Sequence, residues 1–593
     1  MQALTGVFIF CLVCIASCAR INDVNMYIGT GGHGYGIGGL PVGAQSPYGK
    51  VRLSPDSTHS EELWIPWSHT GGYYYRDTHI RMFTHTHCVG AGVIDYGTTG
   101  NMPTCQLPFK IGTGEIDRYP FIQSFSHENE TAQPGFYSVY FPDSQINVEL
   151  TTTENVGFHR YEWRATENCG NYIIFDTSYT LKHLGSGGSQ IFIDVANNEV
   201  NGMVLNLGSL SSRFGGVNVY FVAHFNETLT GYGVWDDSGF FHKNTAQMNG
   251  TNVGGYVDFQ SSVVEMYVGI SFISIDQARY NLEQTLANFT ATTSPVFDQV
   301  KTSTQNTWES LLNIVQINDD GPLVQQDNIT VFYTALYHTL TSPTRFSEVG
   351  GFYLGFDGQV HQVGDNAQFP MANYYTDMSI WDTFRTQFPW LTLMQRDVMK
   401  DISQSLVTMY QQGGDLPRWP LANGYTDTMI GTHADIVLAE ALAHQLVFDY
   451  NTAYAGMYQG ATQPQAHAGR SDIQGYIQLG YVPVDQSSTG CSETLEYAYD
   501  DWCCALFAKY LGKDSDYEMF YNRSFNFINQ FNHTNQFMCP KYTNGTWDCL
   551  ATLLGLAIAA MLKAMLGTGD GLLRNMLILW LSCSLLLIIL WIN

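Results

Sequence analysis

Two periods of hydrophobic spacing divide this chain. From Asn22 to about Ile273, apolar and β-branched residues come in short alternating runs broken by Gly, Asn, Asp and Pro clusters. Gln145–Thr151 (QINVELT), Gly157–Trp163 (GFHRYEW), Asn218–Phe225 (NVYFVAHF) and Val263–Phe272 (VVEMYVGISF) are the clearest. A period of two sends successive side chains to opposite faces of a strand. No helix-period stretch interrupts the series, so the pattern predicts a large antiparallel β-sandwich. Near Ile275 the period lengthens. Ile275–Ala287 and Val296–Val315 read as helices, the second with Trp308, Leu311, Leu312 and Val315 on one face. Further helices are predicted at Ile329–Thr341, Ser379–Phe388, Arg396–Gln411, His433–Val447, Thr494–Leu511 and Ser515–Phe531, joined in pairs by Gly-rich loops as in a toroid of helical hairpins. The one internal border falls near residue 300.

The two ends carry apolar runs of different kinds. Val7–Ala16 (VFIFCLVCIA), followed by Ser17-Cys18-Ala19, has the h-region and small-residue cleavage site of a signal peptide, although its n-region lacks Lys and Arg. It is shorter than the roughly 20 residues a spanning helix needs. At the other end Leu550–Gly567 and Met576–Ile592 are apolar around a Thr568–Gly571 turn. That tail reads as a membrane span, as a lipid-anchor signal, or as the product of truncation. The expected organisation is a signal peptide over 1–19, a β-sandwich over 20–300 with linker helices at 275–318, a helical domain over 301–549 and a hydrophobic tail over 550–593.

Secretion changes how the body is read. Asn-X-Ser/Thr sequons stand at Asn129, Asn226, Asn249, Asn288, Asn328, Asn522, Asn532 and Asn544, so glycosylation of several is expected. Eight cysteines (Cys88, Cys105, Cys169, Cys491, Cys503, Cys504, Cys539 and Cys549) remain once the signal and tail are set aside. An oxidising compartment permits disulfides among them, without fixing connectivity. Their late clustering predicts a staple in the helical part, and their spacing matches no zinc motif. The formal net charge is −27 with only 13% of residues charged, so acidity comes from scarce bases. That argues against nucleic acid and anionic lipid surfaces as partners and leaves room for a hard cation. Aromatics make up 14% of the chain; rings stack on sugar faces, but filling a β core is their commoner use.

Several motifs bear on chemistry. Gly29–Gly43 (GTGGHGYGIGGLPVG) satisfies G-x-G-x-x-G, but Leu40-Pro41 blocks a following helix and no GK[ST] is present, so a tight loop is expected rather than a dinucleotide site. His85 and His87 alternate in a predicted strand and would share a face; no third zinc ligand is placed, so buried, hydrogen-bonded histidines lining a pocket are expected. Met378–Arg385 opens a helix with Ser379 as N-cap, and Asp382 and Arg385 share a face, which alone predicts a surface ion pair. Leu416–Pro420, with Arg418 and Trp419, follows a Gly-Gly turn of the kind that lines a barrel mouth. Glu496 and Asp500, four apart on one helix, repel unless a cation or raised pKa relieves them.

Together these blocks resemble glycoside hydrolase family 92. GTGGHG, PVGAQSPYGKVRLSPDS, GYYYRDTHIRMFTHTHCVGAG, SHENETAQPGFYSVYF, GGFYLGFD, SIWDTFR, GGDLPRWP, MIGTHA and ETLEYAYDDW follow in the family's order, from about Val24 to Trp547. Met82 departs from the pattern, which has Gly there. The resemblance implies a calcium-dependent, inverting exo-α-mannosidase with an N-terminal β-sandwich and an (α/α)6 barrel. It makes Asp382, beside Trp381, a sugar-contacting aspartate, with Arg385, Arg418, Trp419, His85, His87 and Glu496 bordering the same pocket. The family's general acid sits in a Glu-Gly-Asn-x-Trp-Gln-Tyr block and its base in a Gly-Asn-Asp/Glu-Asp-x-Gly block. Neither occurs in this sequence.

Three expectations follow: an α-mannosidase acting on terminal α-linked mannose of glycans, a membrane-attached mannose-binding relic without turnover, or an incompletely joined coding sequence of an active enzyme. The barrel is expected to be incomplete, the calcium ligands partly missing, and the chain as written inactive, because losing both acid and base removes on the order of 10²–10⁴-fold each.

Overall fold

Eighteen strands of the front half assemble into two antiparallel nine-stranded sheets. We describe them in a computed structural model whose described residues are 19–31, 38–58, 69–112, 120–165, 167, 169–181, 185–289, 294–317 and 325–549. The predicted signal peptide (save Ala19), part of the Gly29–Gly43 loop and the apolar tail lie outside them. Among the described residues no helix is long and apolar enough to cross a membrane.

One sheet contains all four strands singled out above. Its strands Ile146–Thr152, Val156–Trp163, Val263–Ser271 and Val217–Phe225 lie side by side, with Tyr267 opposite Phe158 and Val222 opposite Gly269. Part of Ile146–Thr152, Val156–Trp163 and Val217–Phe225 alternates buried with less buried positions, as a sheet with one covered face requires, whereas Val263–Ser271 is buried throughout after Val263. The other sheet is built from Arg52–Thr58, His79–Thr84, Gly100–Thr104, Asn171–Asp176 and Gly254–Phe259 with shorter flanking strands. Here Arg52–Ser57 and Gly100–Thr104 are buried at every position, although they hold Pro55, Asp56, Asn101 and Pro103. A bulge between Asp56 and Ser57 interrupts the pairing just after Pro55. Met82 is fully buried beside Gly100, where a Cβ would stand only 3.1 Å from Met82 Cγ.

The period change is real. Helix α1 (Ile275–Ala287) starts where predicted, capped by Ser274 Oγ accepting from Gln277 N at 3.0 Å. With α2 (Val296–Leu312) it packs on the alternating sheet: Ala278, Leu282, Phe297 and Val300 share a core with Phe136, Val156, Phe158, Val222 and Tyr267. The apolar stripe of α2 is Phe297, Val300, Thr304, Trp308 and Leu312. Leu311 is only half-buried, and the helix ends before Val315. One unit holds residues to Met429 with His433–Gly456 and Ala466–Ala468; a second holds Ile430–Thr432, Met457–Gln465 and the chain from Gly469.

The remaining helices are α3 (Gln326–Thr339), α4 (Ile380–Thr383), α5 (Gln387–Met394), α6 (Arg396–Gly413), α7 (Ala434–Ala443), α8 (Tyr450–Thr462), α9 (Ile473–Leu479), α10 (Gly490–Tyr510) and α11 (Asp514–Arg523). The single helix expected over Ser379–Phe388 is two, because Thr386 leaves helical geometry at φ −143°, ψ −46°. The helix expected over Ser515–Phe531 stops at Arg523 and gives way to a 3₁₀ turn at Asn526–Gln530. Short two-stranded sheets, such as Pro420–Leu421 with Gly424–Tyr425, occupy loops that the Gly-rich pattern left unassigned. Disulfides join Cys105 to Cys169 in the β part and Cys539 to Cys549 near the expected late staple.

Candidate functional site

A cavity of about 110 Å³ in the first unit is lined by Arg52, Cys88, Asp377, Ser379, Asp382 and Trp419 together with backbone-rich stretches at 89–91 and 342–343 and residues of α4 and α5. Five chain segments converge to make it, Ser342-Pro343 among them. Arg52 opens its strand; Cys88 follows the strand His79–Thr84; Asp377–Thr383 enters α4; Trp419 comes from the loop after α6.

Asp382 is solvent-exposed and held from one side. The Ser379 hydroxyl donates to its Oδ2, and the Trp419 indole Nε1–H donates to Ser379 Oγ at 2.8 Å. Ser379 occupies the N-cap position of α4, as expected, but makes no side-chain cap bond. Its one proton is used on the carboxylate, and its oxygen faces the indole. Asp377 sits in the left-handed region at φ 58°, sparsely populated for a residue with a side chain. Tyr96 OH and Ala422 N both donate to its Oδ1, at 3.0 and 2.9 Å.

Arg52 is almost fully buried. Its Nη1 donates to His87 O at 2.9 Å and its Nη2 to Thr341 O and Thr344 Oγ1 at 3.1 and 2.8 Å. Burial lowers its pKa from the ordinary value while Asp377 opposes the shift. Burial also pushes the Cys88 thiol well above its ordinary value, so Cys88 lines the cavity as a protonated, unreactive group.

The predicted residues separate into groups. Asp382 and Trp419 line the cavity. Trp381 and Arg385 flank it on and just after α4, with the Arg385 guanidinium 5.1 Å from the Trp381 ring centre and its Nε donating to Trp381 O at 3.2 Å. Trp381 Nε1 and Arg418 Nε are buried donors with no acceptor among the described residues. Each leaves an N–H for a ligand or water oxygen to satisfy.

His85 and His87 sit behind the wall. Their strand ends at Thr84, so the alternation expected of them stops, and they take different partners. Thr99 O accepts from His85 Nδ1 at 2.9 Å, which leaves His85 Nε2 as acceptor for His159 Nε2–H at 2.9 Å; the Tyr161 hydroxyl completes the series on His159 Nδ1 at 2.7 Å. His87 instead reaches Asp56 Oδ1 at 2.9 Å and Arg52 O at 2.8 Å. Both rings are fully buried.

Glu496 lies half-buried on α10 of the second unit, whereas the cavity is lined by the first unit alone. Asp500, its expected partner, is buried and accepts from Thr432 N and Oγ1 at 2.8 and 3.1 Å. Among the described residues no three His, Cys, Asp or Glu side chains converge, so no carboxylate cluster stands ready there for the calcium that the family resemblance implies. Arg52, Cys88 and Asp377 were missed. Arg52 lay within the quoted KVRLSPDS block, but nothing in the spacing marks it as a cavity residue.

The glycosyl hydrolase family 92 N-terminal domain matches residues 23–271, and the family's catalytic domain matches residues 277–552. A curated relative from Arthroderma benhamiae, named an uncharacterized secreted glycosidase, is 24% identical over 91% of this chain and 67% of its own length. The solved α-mannosidase of the family from Bacteroides thetaiotaomicron, in complex with mannoimidazole, is 27% identical with a TM-score of 0.78, over 89% of this chain and 66% of that one. An inverting mannosidase of the same family and bacterium is 26% identical with a TM-score of 0.76, over 90% and 68%. This chain thus spans about two thirds of the length of the relatives it matches.

Proposed function

Because the chain belongs to glycosyl hydrolase family 92, we propose that its cavity grips a terminal α-linked mannose of glycans, with Asp382 as the principal sugar contact. The observation that carries this reading is the Trp419–Ser379–Asp382 series, which leaves an exposed, oriented carboxylate on a cavity wall. A carboxylate is a natural acceptor for sugar hydroxyls, and a hydrogen bond to a charged group contributes about 1.5–3 kcal/mol. Trp381, Arg385 and Arg418 border the same region, and their orphaned N–H groups at Trp381 and Arg418 suit a polyol. The mannoimidazole complex of one similar α-mannosidase and the mannosidase name of another support mannose as the sugar. Passage through the secretory pathway is part of the same proposal, supported by the Val7–Ala16 run and by the secreted relative.

Turnover is not assigned to the residues of this sequence. Inverting hydrolysis needs a carboxylic acid at the leaving oxygen and a carboxylate activating water, roughly 6.5–9.5 Å apart. The family blocks that supply them do not occur here. Calcium belongs to the resemblance as well; no step is given to it.

Titration calorimetry of the full chain with α-methyl mannoside, beside Asp382→Asn, tests the proposal. The expected outcome is binding that weakens by roughly tenfold or more on substitution, with p-nitrophenyl α-mannoside left unhydrolysed by either protein. Equal affinities for the two proteins would remove Asp382 from the site, and brisk hydrolysis would refute the binding-only reading.

A further inference from the structure

The structure assigns N-linked glycans to Asn226 and Asn544 and leaves the sequon at Asn532 bare. The inference rests on the secretory route proposed above, but its content is geometric. Linkage joins Asn Nδ2 to the anomeric carbon of a lipid-pyrophosphate-linked oligosaccharide. The C–O bond to pyrophosphate breaks, the lipid pyrophosphate leaves with the electron pair, and one amide proton goes to a base. The folded chain must then hold a large polar group at that nitrogen. A site whose nitrogen faces solvent accepts this, and a site whose nitrogen is packed against the chain does not.

Asn226 follows the strand Val217–Phe225 and is exposed, as is Thr228. Its Oδ1 accepts from Glu265 N at 2.7 Å, which pins the amide plane, and its Nδ2 has no acceptor among the described residues. Asn544 lies at the tip of the turn closed by the Lys541–Trp547 bridge, with Gly545 at φ +83° and all three sequon residues exposed. Its Oδ1 accepts from Thr546 N and Thr546 Oγ1 at 2.9 and 2.7 Å. The oxygen is anchored in both cases, and the nitrogen points away from the anchor.

Asn532 uses its oxygen in the same manner, accepting from Thr534 N at 2.9 Å. Its nitrogen differs. Nδ2 donates to Cys549 Sγ at 3.3 Å, and Cys549 is disulfide-bonded to Cys539. The residue is only half-exposed, on the short strand Phe531–Asn532. A sugar on that nitrogen would stand where the disulfide stands.

The test expresses the full chain in a eukaryotic secretory host and releases glycans with an N-glycosidase in heavy-oxygen water. Peptide mapping then reads each Asn converted to labelled Asp. Conversion is expected at Asn226 and Asn544 in most molecules, with Asn532 unlabelled. Asn226→Gln and Asn544→Gln should each remove one step of gel mobility, and Asn532→Gln none. Label at Asn532, or its absence at Asn226 or Asn544 while other sequons carry it, overturns the assignment. If no sequon is labelled and the N-terminal peptide still begins at Met1, the secretory route has failed and the assignment with it.

Discussion

At the scale of single residues, Ser379 decides how Asp382 is presented. Its hydroxyl donates to the carboxylate and its oxygen accepts the Trp419 indole, so one small side chain satisfies both neighbours. Ser379→Ala removes a donor and leaves the 3%-exposed Trp419 with an unmet N–H. Mannose affinity should fall by roughly fivefold to tenfold, about 1–1.4 kcal/mol, while the thermal midpoint moves little; unchanged affinity by calorimetry would detach Ser379 from the site. The buried pair His85–His159 sets a pH dependence. Burial lowers His85 from 6.5 to about 4 and takes His159 well below 6.5, so both rings are neutral in the fold. Once unfolded they regain ordinary basicity, and the unfolded chain binds more protons between about pH 4 and 6.5. Stability is therefore full above pH 6.5 and declines as pH falls through that window, by about 3 kcal/mol for His85 alone. Urea midpoints at pH 7 and pH 4.5 should differ in that direction; a flat profile would contradict the neutral pair.

Among the elements, α10 and α11 depend on one carboxylate. Asp501 accepts from Arg470 Nη1 at 2.6 Å, from Arg523 Nε and Nη2 at 3.0 Å each, and from Tyr476 OH at 2.9 Å, at zero side-chain exposure. Asp501→Asn leaves two guanidinium groups facing a neutral amide, and breaking such a buried network should lower stability by about 3–5 kcal/mol. Chemical denaturation of the variant checks this; a loss below about 1 kcal/mol would mean that solvent reaches the cluster. Legibility also varied by element. Strands such as Val156–Trp163 were readable because their sequence alternates and, from Phe158 on, the burial partly follows it, with Arg160 and Glu162 less buried than their neighbours. Arg52–Thr58 and Gly100–Thr104 were not, since a sheet covered on both faces loses its alternation and this one keeps Asp56, Asn101 and two prolines inside. The break between α4 and α5 had one local sign, Pro389 in the first turn of α5, where its missing N–H costs nothing; Thr386 departs from helical dihedrals with no Gly or Pro at its own position.

Across the whole molecule, the disulfide Cys105–Cys169 closes the longer of the two covalent loops, with a sequence separation of 64. Cross-linking so long a loop restricts the unfolded chain by roughly 4 kcal/mol in the loop-entropy account. Cys105→Ser with Cys169→Ser should lower the unfolding free energy by up to that amount, read from denaturant midpoints under non-reducing conditions; no change would mean the unfolded ensemble is already confined there. At this scale the division into a β front and a helical back was legible from periodicity alone, and the site was legible only in part. Asp382 and Trp419 were found through their blocks; Arg52 and Cys88 lay in blocks too but carried no sign of a cavity role, and Asp377 reaches the cavity through a left-handed turn that no local pattern encodes.

The donors around Asp382 all arrive from the protein side, so what it offers outward is pure acceptor. Guests would then be sorted by what they carry: a neutral sugar brings hydroxyl protons to that oxygen, while a sugar acid or phosphosugar brings a second negative charge to a wall that already holds two carboxylates and a single guanidinium.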